Sequence, residues 1–400
     1  MTIMNNVRES AALKSGFTIP LQNLARTPVV AATFALIASG PAGAFTYNVS
    51  NIGLYVNNGA RALAVNNSGQ MAGFSTVGLT GTKNAFVGSG VPNVALTNLH
   101  NSGGSLLGGF SGSYSAGINE SGQVVGQALR TNQTAYVPFI STAGGAMTEV
   151  NPLGGTAGGT ARDINNNGVI VGSGYLTGNT AIHAYTYNST TSSATDIGSL
   201  ISASGTSEAY AINDAGQVAG SYFNLANTLQ RAFLYGTSGV TDLGTLGGVQ
   251  SAALGINGAG TVVGWSLTAG NATHGFIYSG GTMTDIGTLN GGTTKAQGIN
   301  DSGQVVGFSA SGNPYGQSAF IYQNGVMTDL NTLINPASGM QIIDAYAVSN
   351  TGYIVASAYM IGNPSQGAAV LLAPLTLIPE PSSLIMLASG IAGFVTRRRR

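Results

Sequence analysis

Apolar residues in this chain come in short runs, and the same kind of polar break interrupts each pair of runs. Ala209-Tyr-Ala-Ile212 stops at Asn213-Asp-Ala-Gly216 and resumes as Gln217-Val-Ala-Gly220. The pattern is clearest from Ile299 to Gly307 and occurs seven times. Its other copies run from Val65 to Gly73, Ile118 to Gly126, Ile164 to Gly172, Ile212 to Gly220, Ile256 to Gly264 and, in worn form, Val348 to Ala356. The Asn and Gly of the break are Asn66 and Gly69, Asn119 and Gly122, Asn165 and Gly168, Asn213 and Gly216, Asn257 and Gly260, and Asn300 and Gly303. Ser349 stands at the seventh Asn position. Self-similarity at a period of this size organises the whole chain.

The break predicts a tight turn. An Asn side chain at its first position can bond the backbone two residues on, the next two residues suit a type I turn, and Gly takes the left-handed position without steric cost. That is a three-residue hairpin loop with a Gly bulge, so the flanking runs are two antiparallel strands. A third strand follows each hairpin, as in Arg231–Tyr235, His183–Tyr187, His274–Tyr278 and Ser318–Tyr322, with looser versions at Ala85–Val87 and Ala135–Val137. A fourth phrase runs Thr241–Leu246, Thr284–Leu289 and Thr328–Leu333, with Asp196–Leu200 similar. Four short strands per unit is the content of one propeller blade.

Seven units predict an all-β, seven-bladed β-propeller spanning residues 45–378. A β-solenoid would use coils of roughly 20–30 residues, about half this spacing. Unbroken apolar pairs such as Val305-Val306 suit strands covered on both faces. The ends of the repeat are complementary. The last unit lacks the fourth phrase, and Phe45–Val49 is a spare strand-like stretch before the first. The expectation is that Phe45–Val49 supplies the missing strand and zips the ring shut, leaving no open edge.

Composition narrows the class. The 400 residues include 61 Gly and no Cys, and only 6% are charged. Basic and acidic residues balance at 13 each. Seven of the basic ones lie outside the repeat region, which is therefore acidic by a net −5 and poorly suited to nucleic acid. Residues 1–44 carry Arg8, Lys14 and Arg26, then the apolar run Val29–Ala38, then Ala42-Gly43-Ala44. This predicts an export signal cleaved after Ala44, with Ala42 and Ala44 as the small residues the peptidase accepts. At the other end Pro379-Glu380-Pro381 precedes the apolar run Leu384–Val395 and then Arg397, Arg398, Arg399 and Arg400. Twelve residues make about 18 Å of helix, short for a bilayer, and the Arg cluster would stay on the cytoplasmic side.

Two resemblances rest on these residues. The string Ala232-Phe-Leu-Tyr, Thr241 to Gly248 and Gly255 to Gly264, with the tripeptides at His183 and His274, resembles the bacterial HAF repeat over roughly residues 60–372. That implies an extracytoplasmic repeat protein and brings no activity with it. The tail, residues 379–400, resembles the PEP-CTERM sorting signal. The resemblance implies a Gram-negative host that makes exopolysaccharide and an exosortase-type membrane enzyme as partner. In that reading Pro379, Glu380 and Pro381 are the recognition motif, and Arg397–Arg400 the retention cluster. The protein would be anchored in the inner membrane before processing and reach the cell surface after it.

Candidate chemistry is sparse. No Gly-x-Ser-x-Gly elbow occurs, and His100, His183 and His274 fall in different units. Asp163-x-Asn165-x-Asn167-Gly168 matches the front of a calcium loop but has Gly174 where a bidentate Glu is needed, so it reads as an Asn-rich turn. Asp196, Asp242, Asp285 and Asp329 recur in register, which favours a turn or cap role over a cation-lined channel. Trp265 is the one Trp and reads as a packed or rim residue rather than a sugar platform. The expectation is a non-catalytic structural or binding component of the envelope or exopolysaccharide matrix, with no cofactor or metal. Two alternatives stay open. A glycan-active enzyme would need paired carboxylates off the repeat register, where Glu120, Glu149, Glu208 and Asp344 are the exceptions. A lectin-like propeller would use loop aromatics such as Tyr114, Tyr222 and Tyr315.

Overall fold

A computed structural model describes residues 46–375 except 55–60, 78–81, 90–94, 100–109, 131–134, 143–144, 202–203, 225 and 227. The expected signal segment with Ala42 and Ala44, and the tail with Pro379–Pro381 and Arg397–Arg400, lie outside the described residues. So do Phe45 and His100.

Seven four-stranded antiparallel sheets form the blades of a β-propeller. Blade 4 shows the plan, with strands Ser204–Ile212, Val218–Asn224, Gln230–Gly236 and Gly239–Asp242 in order. Each first strand touches the first strands of both neighbouring blades, the seventh and the first included. The first strands therefore surround the axis and the ring is closed.

Closure is made by strand exchange. Tyr47–Leu54 pairs antiparallel with Asn363–Pro374 and is the outer strand of blade 7. The closing strand thus extends further toward the C-terminus than Phe45–Val49. Its start is fixed by Thr46 N–H donating to Leu333 O at 2.9 Å, and Leu375 N–H returns to Thr46 O at 2.9 Å. Both ends of the ring leave it side by side, at the end that carries the hairpin turns.

The last Gly of the repeat phrase has a packing cause that its turn Gly does not share. Every first strand carries a β-bulge three residues before its turn residue, at Leu63, Ala116, Arg162, Tyr210, Leu254, Gln297 and Tyr346. The bulge drives first-strand backbone against the second strand. A Cβ at Gly73, Gly126, Gly172, Gly220, Gly264 or Gly307 would lie 1.9–2.3 Å from a first-strand carbonyl oxygen. On the third strand the partners of these glycines are Phe86, Phe139, Tyr185, Phe233, Phe276 and Phe320, all fully buried. Blade 7 trades both residues, with Ala356 opposite Val370. The aromatic fills the space its glycine leaves, and most of the core lies between adjacent sheets, as where Ala219 and Ala232 of blade 4 meet Val262 and Phe276 of blade 5.

Candidate functional site: two levels of the central channel

The hairpin turns form two concentric sets of links around one mouth of the channel. In each turn the Asn side chain organises its own loop and reaches the next blade. Asn213 Oδ1 accepts from Gln217 N–H at 2.9 Å, and Gly216 sits at φ +77°. Its Nδ2 donates to Asn257 O at 3.0 Å. The same inter-blade bond joins Asn66 to Asn119, Asn119 to Asn165, Asn165 to Asn213, Asn257 to Asn300 and Asn300 to Ser349, at 2.9–3.1 Å. A buried amide carries both hydrogen bonds at once, which is why Asn serves here. Gly69, Gly122, Gly168, Gly260 and Gly303 take φ between +73° and +79°, as the turn requires.

The following residue in each turn builds the outer set. Reading around the ring it is Asn67, Glu120, Asn166, Asp214, Gly258, Asp301 and Asn350. Asn67 N–H donates to both Glu120 oxygens at 3.1 Å, Glu120 N–H to Asn166 Oδ1 at 2.9 Å, and Asn166 N–H to Asp214 Oδ1 at 2.8 Å. Gly258 N–H donates to Asp301 Oδ1 at 2.7 Å, Asp301 N–H to Asn350 Oδ1 at 2.8 Å, and Asn350 N–H to Asn67 Oδ1 at 2.7 Å. Each set has one gap. The inner set has no amide at Ser349, and the outer has no side chain at Gly258. The gaps fall at different junctions, so every pair of neighbouring blades keeps at least one link.

These residues, with strand-end aliphatics such as Val65, Ile118, Ile212 and Val348, line a cavity of about 230 Å³. Glu120, Asp163, Asp214 and Asp301 all face it and no basic residue does, among the described residues. Glu120, Asp214 and Asp301 come from blades 2, 4 and 6, so an amide or a Gly separates like charges. Asp163 lies deeper. Its Oδ1 accepts from Ile164 N–H at 2.8 Å and its Oδ2 from Ile212 N–H of the next blade at 3.0 Å. Burial pushes its pKa up to about 6 against the pull of those two bonds. The calcium-like pattern at Asp163 is therefore a hairpin turn with a carboxyl bridging blades 3 and 4. No group of three or more metal-ligating side chains occurs among the described residues.

Farther along the channel come the first-strand residues five positions before the turn Asn, about 16 Å away at the usual strand rise and paired near the middle of each second strand. Here the residues do not repeat. Lys295 of blade 6, Asp344 of blade 7 and Arg61 of blade 1 follow one another. Gln297 Nε2 donates to Asp344 Oδ1, and the Tyr346 hydroxyl bonds Ser357 Oγ at 3.0 Å. Burial lifts the Asp344 pKa to about 7, opposed by Arg61, the Tyr346 and Gln297 hydrogen bonds and Lys295. Lys295 Nζ stands 4.8 Å from the centre of the Trp265 ring, and the Arg61 guanidinium 5.8 Å from that of Tyr346. Lys83 Nζ lies 5.1 Å from the Phe74 ring and 5.2 Å from the Tyr114 ring.

The remaining sequence candidates scatter over separate blades. His183 Nδ1 contacts Asp196 at 2.8 Å, and His274 Nδ1 contacts Asp285 at 2.7 Å. Gly244 N–H and Gly287 N–H bond Asp242 and Asp285 two residues back, and Asp329 caps the short 3₁₀ turn Leu330–Leu333. These aspartates close the ends of the fourth strands. Glu149 pairs with Arg130 and Glu208 with Arg162. The Tyr222 hydroxyl donates to Asp242, whereas Tyr315 stacks on Tyr359 at 5.1 Å. Tyr114, Tyr222 and Tyr315 thus belong to three different local clusters. The acidic mouth was absent from the sequence reading. Its signal was the column after the turn Asn, which holds three carboxylates and three amides but looks like ordinary turn chemistry in any single copy.

Residues 377–400 match the PEP-CTERM protein-sorting motif. That motif implies export and membrane-associated processing by an exosortase. No curated protein matches the chain. Among solved structures it is similar to the β-propeller domain of the Trilobed protease from Pyrococcus furiosus, at 8% identity and a TM-score of 0.50, covering 81% of this chain and 98% of that one. That domain is described as having an open velcro topology, whereas Tyr47–Leu54 closes the present ring. It is also similar to YCF48 bound to D1 peptide, at 11% identity and a TM-score of 0.46, covering 84% and 100% of the two chains. TolB from Acinetobacter baumannii aligns at 14% identity and a TM-score of 0.38 over 64% of each chain. The first of these likenesses shows the fold and nothing further.

Proposed function

We propose that this is an exported, surface-directed and non-catalytic β-propeller that serves as a structural or binding component of the cell envelope or extracellular matrix. The observation that carries the reading is the sorting motif, which begins two residues after a ring whose last described residue is Leu375. The HAF-like phrases at Ala232 and Gly255 agree with an extracytoplasmic address. The non-catalytic part is supported by how the mouth carboxylates are used. Glu120, Asp214 and Asp301 each accept a backbone N–H from a neighbouring blade, which commits them to holding the ring. Because the chain leaves the ring at its hairpin end, a membrane tether through the tail before processing would hold the ring by the end that carries the acidic mouth.

The test is the intact mass of the protein recovered from its native host. A C-terminus near Pro379–Pro381 with an N-terminus at Phe45 supports the reading. A chain that retains Arg400, or that stays in the cytoplasm, refutes it. In a host without the processing enzyme the full chain should stay with the membrane.

A further inference from the structure

The ring between residues 45 and 378 has six basic residues. Three are neutralised by carboxylates, namely Arg130 by Glu149, Arg162 by Glu208 at 3.7 Å and Arg231 by Asp242 at 3.2 Å. The other three, Arg61, Lys83 and Lys295, form no ion pair among the described residues, and each is held against an aromatic ring. A cation on an aromatic face is positioned but keeps its charge, which stays available to an anion. In a domain of net −5 these three do not scatter. They fall in blades 6 and 1, on either side of Asp344 of blade 7, and continue through Phe74 and Tyr114 to Tyr136 of blade 2.

We propose that this strip, on the channel wall beyond the hairpin turns, binds an acidic polysaccharide. It rests on the reading above, in which the protein is exported to the cell surface or matrix. The alternation of cation and aromatic ring fits a chain of sugars, whose carboxylates or sulfates meet Arg61, Lys83 and Lys295 and whose C–H faces meet the interleaved rings. Nucleic acid, with a phosphate at every step, calls for a denser basic surface than three cations in an acidic ring. A lipid surface is disfavoured because Arg61, Tyr114, Lys295 and Tyr346 lie on first strands, which surround the axis.

Asp344 makes binding sensitive to pH. The charged and polar groups facing it are Lys295 and Gln297 from blade 6, Arg61 from blade 1, and Tyr346 on its own strand. When it ionises it competes with the ligand for Lys295 and Arg61, so binding weakens as pH rises through about 7.

The experiment measures binding of the full chain to polygalacturonate, dextran sulfate, uncharged dextran, a single-stranded oligonucleotide and phosphatidylglycerol vesicles. The expected result is salt-sensitive binding to an acidic polysaccharide and none to dextran, with the first two probes separating carboxylate from sulfate preference. Arg61→Gln and Lys295→Gln should each weaken binding by about ten-fold. Arg231→Gln, in blade 4, which contributes nothing to the strip, should not. Asp344→Asn should tighten binding at pH 8 and remove its pH dependence. Melting curves establish that each variant is folded. Equal binding to dextran, a preference for oligonucleotide or vesicles, or no loss in folded Arg61→Gln and Lys295→Gln overturns the proposal. A chain that is processed and sorted yet ignores both acidic polymers sinks this inference alone, whereas an unsorted chain sinks the reading beneath it.

Discussion

The hairpin end of the channel and its middle are made by the same seven first strands, yet they obey different rules. At the hairpin end a residue is predictable from its position in the repeat, since Asn fills six of seven inner places and its side chain makes the same two bonds each time. Five residues upstream, the ring reads Arg61, Tyr114, Thr160, Glu208, Ala252, Lys295 and Asp344, with no residue used twice. What repeats is held by hydrogen bonds between blades. What does not repeat is held by contacts particular to each blade, such as Glu208 with Arg162 and Lys295 on Trp265.

That contrast can be broken in four ways. The largest effect should come from the wall that the two levels share. Gly307→Val would drive Cβ to 2.0 Å from Lys295 O, a backbone atom, and should cost about 4 kcal/mol or prevent folding. Gly303→Val meets nothing within 4 Å and opposes only φ +75°, so its loss in urea unfolding should be smaller, ~1–3 kcal/mol. If the two are equally damaging, the bulge is not what selects the repeat's last Gly.

Asn213→Ala comes next. It removes the donor to Asn257 O and the acceptor for Gln217 N–H, both at buried or half-buried positions, and should lower stability by about 2 kcal/mol. Ser349→Ala removes only the acceptor for Tyr353 N–H and a hydroxyl contact with Thr351, so it should cost less than half as much. Equal losses would mean the amide link between blades contributes nothing.

The pH response comes third and places one titrating group at each level. Asp163, at the hairpin end, and Asp344, midway along its strand, both have folded pKa values above the ordinary 3.8. The folded state therefore holds protons that the unfolded state releases, and stability falls as pH rises between about 4 and about 7, then levels. Urea midpoints measured across that range should decline, and Asp344→Asn should remove the upper part of the decline. A flat profile excludes the burial of both groups.

Lys295→Gln should change the melting free energy least, by under about 0.5 kcal/mol, because the Lys holds only a ring face. A large loss would make the strip part of the frame.

The turn Asn, the turn Gly and the count of seven were plain in the sequence because each copy repeats the same mechanism, and the ring with its exchanged closing strand follows from them. The fourth strands Ala95–Asn98 and Met147–Glu149 were missed because blades 1 and 2 lack the Asp-Leu-Gly phrase that marks the others. The closing strand reaches Leu54, beyond the expected Val49, because Asn363–Pro374 offers a long partner and a bulge at Ile52 keeps the two in register. The strip was invisible because its residues are single departures from the repeat, joined only when blades 6, 7 and 1 meet across the closure. Trp265 illustrates this. It is half-buried and packed, in keeping with the sequence reading, and Lys295, thirty residues on, lies over its ring.

The pairing of Leu375 with Thr46 has a mechanical consequence. Any tension transmitted through residues 376–400 enters the ring at the end of Asn363–Pro374. That strand is gripped on both sides, by seven residue pairs with Ile354–Met360 and seven with Tyr47–Leu54. A pull along its axis runs across the hydrogen bonds, which lie perpendicular to antiparallel strands, so they share the load together rather than opening one at a time. Until the tail is processed the point of attachment is thus a shear clamp, and drag on the ring would be borne by the strand pairs that close it.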